Sequence, residues 1–128
     1  MPRLDRDPIA TGPLIQAFSG KGFRIDGVIY DAGVKLTPEA VWKWAAPSPA
    51  SLSQDDLADL LAVEPKPEFI LLGTGASLQR PDFALTEALR AEDIGLEVMD
   101  SRAAARAWGM LRGEGRLIAA ALMPLDQR

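Results

Sequence analysis

The sequence predicts a layered α/β fold built on a mixed central sheet. Two observations carry that prediction. From Phe69 onward, short apolar runs alternate with segments of helical period: Phe69–Leu72, a helix over 82–92, Leu96–Met99, a helix from 101, and Leu117–Leu122. This is the β-α-β-α-β order of a parallel sheet with right-handed crossovers. Upstream, residues 13–36 read as short strands joined by tight turns, the order of an antiparallel meander. The length of 128 residues suits one domain, assigned to residues 13–128, with residues 1–12 as a flexible N-terminal arm.

Pro13–Ser19 is the first expected strand, closed by Gly20-Lys21-Gly22. Phe23–Asp26 alternates apolar and polar residues, the period of a half-buried strand, and Val28–Tyr30 resumes after Gly27. Asp31-Ala32-Gly33 turns the chain into Val34–Leu36. Val41–Ala46 is compatible with helix or strand; the prolines at 47 and 49 favour a short strand with Trp42 and Trp44 on one face. Ser53–Ala62 is expected to be helical, with Ser53 as N-cap, Asp56 completing a capping box, and Leu52 and Leu57 forming a hydrophobic staple. Pro65 and Pro67 end it and lead into Phe69–Leu72. The helix over Asp82–Glu92 is expected to bury Ala84, Leu85, Ala88 and Leu89. Ser101 is the expected cap of the next helix, whose stripe is Ala104, Ala107, Trp108 and Leu111 and which Gly113 and Gly115 end. Leu117–Leu122 is continuously apolar, as in a strand covered on both faces, and Pro124–Arg128 reads as a tail.

Composition narrows the chemistry. There is no cysteine and no histidine. Disulfides, thiolate metal sites, thiol nucleophiles and any serine–histidine or cysteine–histidine relay are therefore excluded, and acid–base work would fall to carboxylates, lysines or Tyr30. No metal or cofactor set is expected. The net charge of −4, without clustered Lys and Arg, argues against nucleic-acid binding. No apolar run approaches the ~20 residues of a membrane-spanning helix, and the N-terminus lacks the apolar core of a signal peptide. A cytoplasmic location is the expectation.

Two loops hold the candidate ligand site. In open α/β sheets, ligands bind beyond the carboxyl ends of the strands. Here those ends are Gly73-Thr74-Gly75 and Asp100-Ser101-Arg102. If their strands are neighbours, the loop amides, a helix N-terminus and the Arg102 guanidinium converge into a setting for an anion. The motif is neither GxGxxG, since Leu78 stands at the third glycine position, nor a P-loop, since no lysine follows. The plainer reading is that Gly73 and Gly75 permit a tight strand exit and Ser101 caps a helix. Trp42 and Trp44 are interface candidates, because tryptophan is enriched in binding hot spots, with core packing as the alternative.

The segments GFRIDGVIYDAGVKLTP, PEFILLGTG and GLEVMDSRAAARAW, followed by LRGEGRLIAAAL, together resemble domain-of-unknown-function family 498. That family includes mitochondrial complex I assembly factor 3 and uncharacterised bacterial and archaeal proteins. The resemblance covers roughly Ile15 to Pro124 and implies a three-layer α/β arrangement with a mixed central sheet. It implies no known enzymatic activity, and it implies protein partners, respiratory-complex subunits among them. The family's acidic and hydroxyl pair after the second strand matches Asp100 and Ser101. The Thr-aromatic-Asn run that follows in the family is replaced here by Ala107-Trp108-Gly109, which loses the hydroxyl and the amide. The leading expectation is a non-catalytic interaction protein linked to assembly of a respiratory membrane complex. The competing one is a small-molecule or anion-binding domain using the two loops. Self-association is the third.

Overall fold

The structure is a computed structural model that describes residues 12–128; the expected arm over residues 1–12 lies outside it apart from Gly12. Eight strands and three α-helices follow in order: β1 (Ile15–Ser19), β2 (Gly22–Ile25), β3 (Val28–Tyr30), β4 (Val34–Leu36), β5 (Val41–Lys43), α1 (Ala58–Leu61), β6 (Phe69–Gly73), α2 (Phe83–Ala91), β7 (Gly95–Met99), α3 (Ser101–Gly113) and β8 (Ala119–Leu122). They form a three-stranded antiparallel sheet, β1-β2-β3, and a five-stranded mixed sheet, β5-β4-β8-β6-β7. Within the larger sheet, β6 runs parallel to both β7 and β8, while β4 is antiparallel to β5 and β8.

The period of two along each central strand divides the core in half. Leu71, Ala120 and Leu122 face one side, where Phe23 and Ile25 of β2 pack with Ala104, Ala105 and Trp108 of α3. Ile70, Leu72, Ala119 and Ala121 face the other, against Leu57 and Leu60 around α1 and Leu85 and Leu89 of α2. The three layers are thus α1 and α2, the mixed sheet, and the small sheet with α3. The run of alanines in β8 suits its position between β4 and β6, where helix and strand layers press from both faces.

Several elements depart from expectation for identifiable reasons. The helix expected over 53–62 begins as a 3₁₀ turn, Gln54–Leu57, before α1. Asp56 forms the expected cap, its carboxylate accepting from Ser53 N–H at 2.8 Å. The α ladder is interrupted because the Asp56 carbonyl accepts from the Lys35 ammonium, while Leu60 N–H donates to Asp59 Oδ1 at 2.9 Å. In α2, Leu85 and Leu89 are buried and Ala88 half-buried, but Ala84 is exposed; the apolar stripe is narrower than its spacing suggests. The cap of α3 is Asp100 rather than Ser101, its side chain accepting from Ala103 N–H at 2.9 Å. β8 starts at Ala119 rather than Leu117; Leu117 is exposed, though its carbonyl still receives Glu68 N–H at 2.8 Å and so prolongs the pairing with the segment before β6. The expected tail is packed: Pro124 and Leu125 are buried, and Leu125 N–H donates to the Lys21 carbonyl at 2.7 Å in the β1–β2 turn.

Candidate functional site

β6 and β7 are adjacent and parallel, with Gly73 opposite Met99, so the two candidate loops do share one rim. What they do there is bond to each other. Thr74 N–H donates to the Met99 carbonyl at 2.9 Å, Gly75 N–H to Ser101 Oγ at 2.7 Å, and Ala76 N–H to the Gln127 carbonyl at 2.9 Å. Ser101 Oγ donates in turn to the Met123 carbonyl at 2.7 Å, and Ser101 N–H reaches the Gly75 carbonyl at 2.9 Å. Thr74 and Ser101 are fully buried. An anion needs backbone donors that point outward and are otherwise unsatisfied; the three successive amides of this loop already have partners.

Geometry explains the glycines. A Cβ on Gly73 would lie 2.9 Å from the Ser101 backbone, and one on Gly75, where φ is +97°, would lie 2.3 Å from the Gln127 carbonyl oxygen. The first approach comes from the β7–α3 junction and the second from the C-terminal segment, which crosses the ends of the parallel strands where open α/β sheets receive ligands. Arg102 does not join the cluster. It is exposed, and its guanidinium lies over the Phe18 ring at 5.3 Å. The rim thus brings together Gly73, Thr74, Gly75, Asp100 and Ser101 and directs Arg102 toward β1.

Thr74 also shapes the loop that follows. Its hydroxyl donates to the Ser77 carbonyl at 2.7 Å and accepts from Gln79 N–H at 3.0 Å, pinning both neighbours of Leu78. Leu78 is 49% exposed, and Phe83, the first residue of α2, is 68% exposed. These large apolar side chains on ordered backbone were not singled out in the sequence. Leu78 sits where a glycine motif fails, and Phe83 is displayed because α2 turns Leu85 and Leu89 inward.

The tryptophan pair lies on and just after β5, at the opposite edge of the mixed sheet from β7. Trp44 is buried in the core beside Leu52 and Leu57, with the Lys35 ammonium 5.3 Å from its ring centroid. Trp42 is half-buried against the same core, and its indole N–H donates to Asp59 Oδ2 at 2.9 Å. Trp44 therefore offers packing rather than contact area, and Trp42 is the accessible member. Lys35, a buried cation, also donates to Asp59 Oδ1 at 2.8 Å. Partial burial pushes the Asp59 carboxyl upward. The hydrogen bonds from Lys35 and Trp42, with the lysine charge, outweigh this and hold it below its ordinary value. No sequence pattern marked Lys35, because a lysine between two apolar strand residues normally points to solvent, and here β4 is covered on both faces.

Among the described residues, no group of three side chains is placed to hold a metal ion, and no helix is long and apolar enough to cross a membrane. A cavity of about 70 Å³ lies between Thr37–Glu39 and Val63–Pro67. That is well below the ~300 Å³ at which small-molecule sites begin, whereas a wider, open depression of about 440 Å³ adjoins the rim beside Lys21, Ala76 and Arg102.

The chain is similar to NADH dehydrogenase [ubiquinone] 1 alpha subcomplex assembly factor 3 of Danio rerio, at 33% identity over 90% of this chain and 66% of that protein. It thus spans just under two thirds of that relative's length. It is also similar to an uncharacterised Rhodobacter capsulatus protein, at 32% identity over 94% of this chain and 92% of that one. In three dimensions it resembles the solution structure of a Bordetella pertussis protein described as a Mth938-like domain. The TM-score is 0.77 at 26% identity, over 98% of this chain and 94% of that one. A family model covers residues 15–123, and on that match the chain belongs to the DUF498/DUF598 family of proteins of unknown function.

Proposed function

We propose that residues 13–128 act as a single non-catalytic interaction domain that helps assemble a respiratory membrane complex, working from the cytoplasm. One observation carries the reading: the rim where this fold class takes ligands is closed by the chain's own hydrogen bonds, while Leu78 in the loop that follows and Phe83 at the start of α2 are exposed. Exposed apolar side chains on ordered backbone suit a protein partner better than a metabolite. The resemblance to an assembly factor supplies the class of partner, respiratory-complex subunits. The competing ligand-site reading lacks free backbone donors, because the Thr74, Gly75 and Ala76 amides are already paired.

The test is affinity capture of the tagged full-length chain from its own native lysate, beside Phe83→Ser and Trp42→Ala variants of unchanged thermal stability. The expected result is recovery of respiratory-complex subunits, reduced in at least one variant. Recovery of none by the wild type would overturn the reading.

A further inference from the structure

On the side of the molecule away from Trp42, β1 is paired, among the described residues, only with β2, so its other edge is the outer edge of the small sheet. Between that strand and α3 runs a groove of about 280 Å³, lined by Ile15, Ala17 and Phe18 on one wall and Ala105, Arg106 and Gly109 on the other. Gln16, Ala17 and Phe18 are exposed along the strand. We propose that this groove receives an extended, acidic segment of a partner protein, which adds to β1 as a further strand and sets an aliphatic side chain over Gly109.

Three observations converge on that occupant. An open strand edge offers a row of backbone donors and acceptors, which an extended segment satisfies and a helix does not. Gly109 lies inside α3, where glycine costs about 1 kcal/mol relative to alanine. A Cβ there would meet nothing within 4 Å, so no neighbour in the fold demands the glycine. Its effect is to leave one wall of the groove low. Charge then selects the partner. Arg102 and Arg106, both exposed, stand one helical turn apart beside the groove, with Arg106 Nη1 donating to the Arg102 carbonyl at 3.3 Å. Among the described residues, the ion pairs are Lys35–Asp59, Arg90–Glu87 and Arg116–Glu68, so neither guanidinium is in one. On a chain of net charge −4, two such arginines beside an apolar floor favour a carboxylate-bearing segment over a basic one.

This assignment rests on the interaction reading and names the partner chemistry at one surface. It is tested with a phage-displayed library of random heptapeptides selected on the full chain. The expected outcome is enrichment of peptides that carry an acidic residue near an aliphatic one. A synthetic copy should bind with amide protection at residues 16–18, and roughly tenfold or more weaker to Gly109→Leu and to the Arg102→Glu/Arg106→Glu double variant. Gly109→Ala, which fills little of the groove, is the folding control and should retain binding. Enrichment of nothing, enrichment of basic peptides, binding indifferent to Gly109→Leu, or a dimer of the chain that Gly109→Leu abolishes would each overturn it. If the selection fails while lysate capture still recovers subunits, only the groove assignment falls. If capture is empty while the peptide binds, the assembly reading falls alone.

Discussion

Ser101 ties the loop after β6 to the end of β8, its hydroxyl accepting from Gly75 N–H and donating to the Met123 carbonyl. Replacing it with alanine leaves both groups buried without a partner. Each such group costs about 1–3 kcal/mol, so Ser101→Ala should destabilise by about 3 kcal/mol in urea unfolding. The hydroxyl was legible in the sequence at a strand–helix junction; its task was not, because both of its partners are remote in sequence. Gly75→Val should cost more, since it adds a clash with Gln127 to a positive φ. The Lys35–Asp59 pair sets a pH dependence whose sign follows from the lowered Asp59 value. A carboxyl whose folded value lies below its unfolded value, ~3.9, stabilises fully above the latter and loses that contribution as pH falls through the folded value. The drop in urea midpoint between pH 7 and pH 3 should therefore be smaller in Asp59→Ala than in the wild type. At pH 7, Asp59→Ala should be more damaging than Lys35→Met. The first strands a buried ammonium, whereas the second leaves a carboxylate that water can reach, its side chain being 43% exposed.

At the level of elements, the alternation of apolar runs and helical periods was enough to place β6, α2, β7, α3 and β8 in order, because each is defined by its own residues. What escaped was decided across the fold. The helix over 53–62 breaks where Lys35, from a different strand, takes the Asp56 carbonyl. Alternation put Trp42 and Trp44 on one face correctly, but which layer would cover that face depended on residues 52–60. α3 offers the cleanest test of local propensity. Gly109→Ala removes helix-interior backbone freedom and meets no neighbour, so it should stabilise by up to about 1 kcal/mol, read as a raised melting temperature.

Over the whole molecule, the C-terminal segment joins regions that are far apart in sequence. Leu125 is held at the β1–β2 turn and Gln127 at the loop after β6. Deleting residues 124–128 removes a buried leucine, worth about 1.5–3 kcal/mol. It should lower the melting temperature and speed hydrogen exchange at the Gly75 and Ala76 amides, while β4 and β5 stay protected. Unaltered exchange at those two amides would show that the segment does not close the rim. The order of the strands carries a further consequence, for synthesis. β8 is the last strand to leave the ribosome, yet it lies between β4 and β6, and Val34 finds its partner in Leu122. The small sheet and the β4–β5 hairpin can form while translation continues. The central sheet cannot, and until β8 emerges the nascent chain holds two apolar strand edges open to any neighbour that would pair with them.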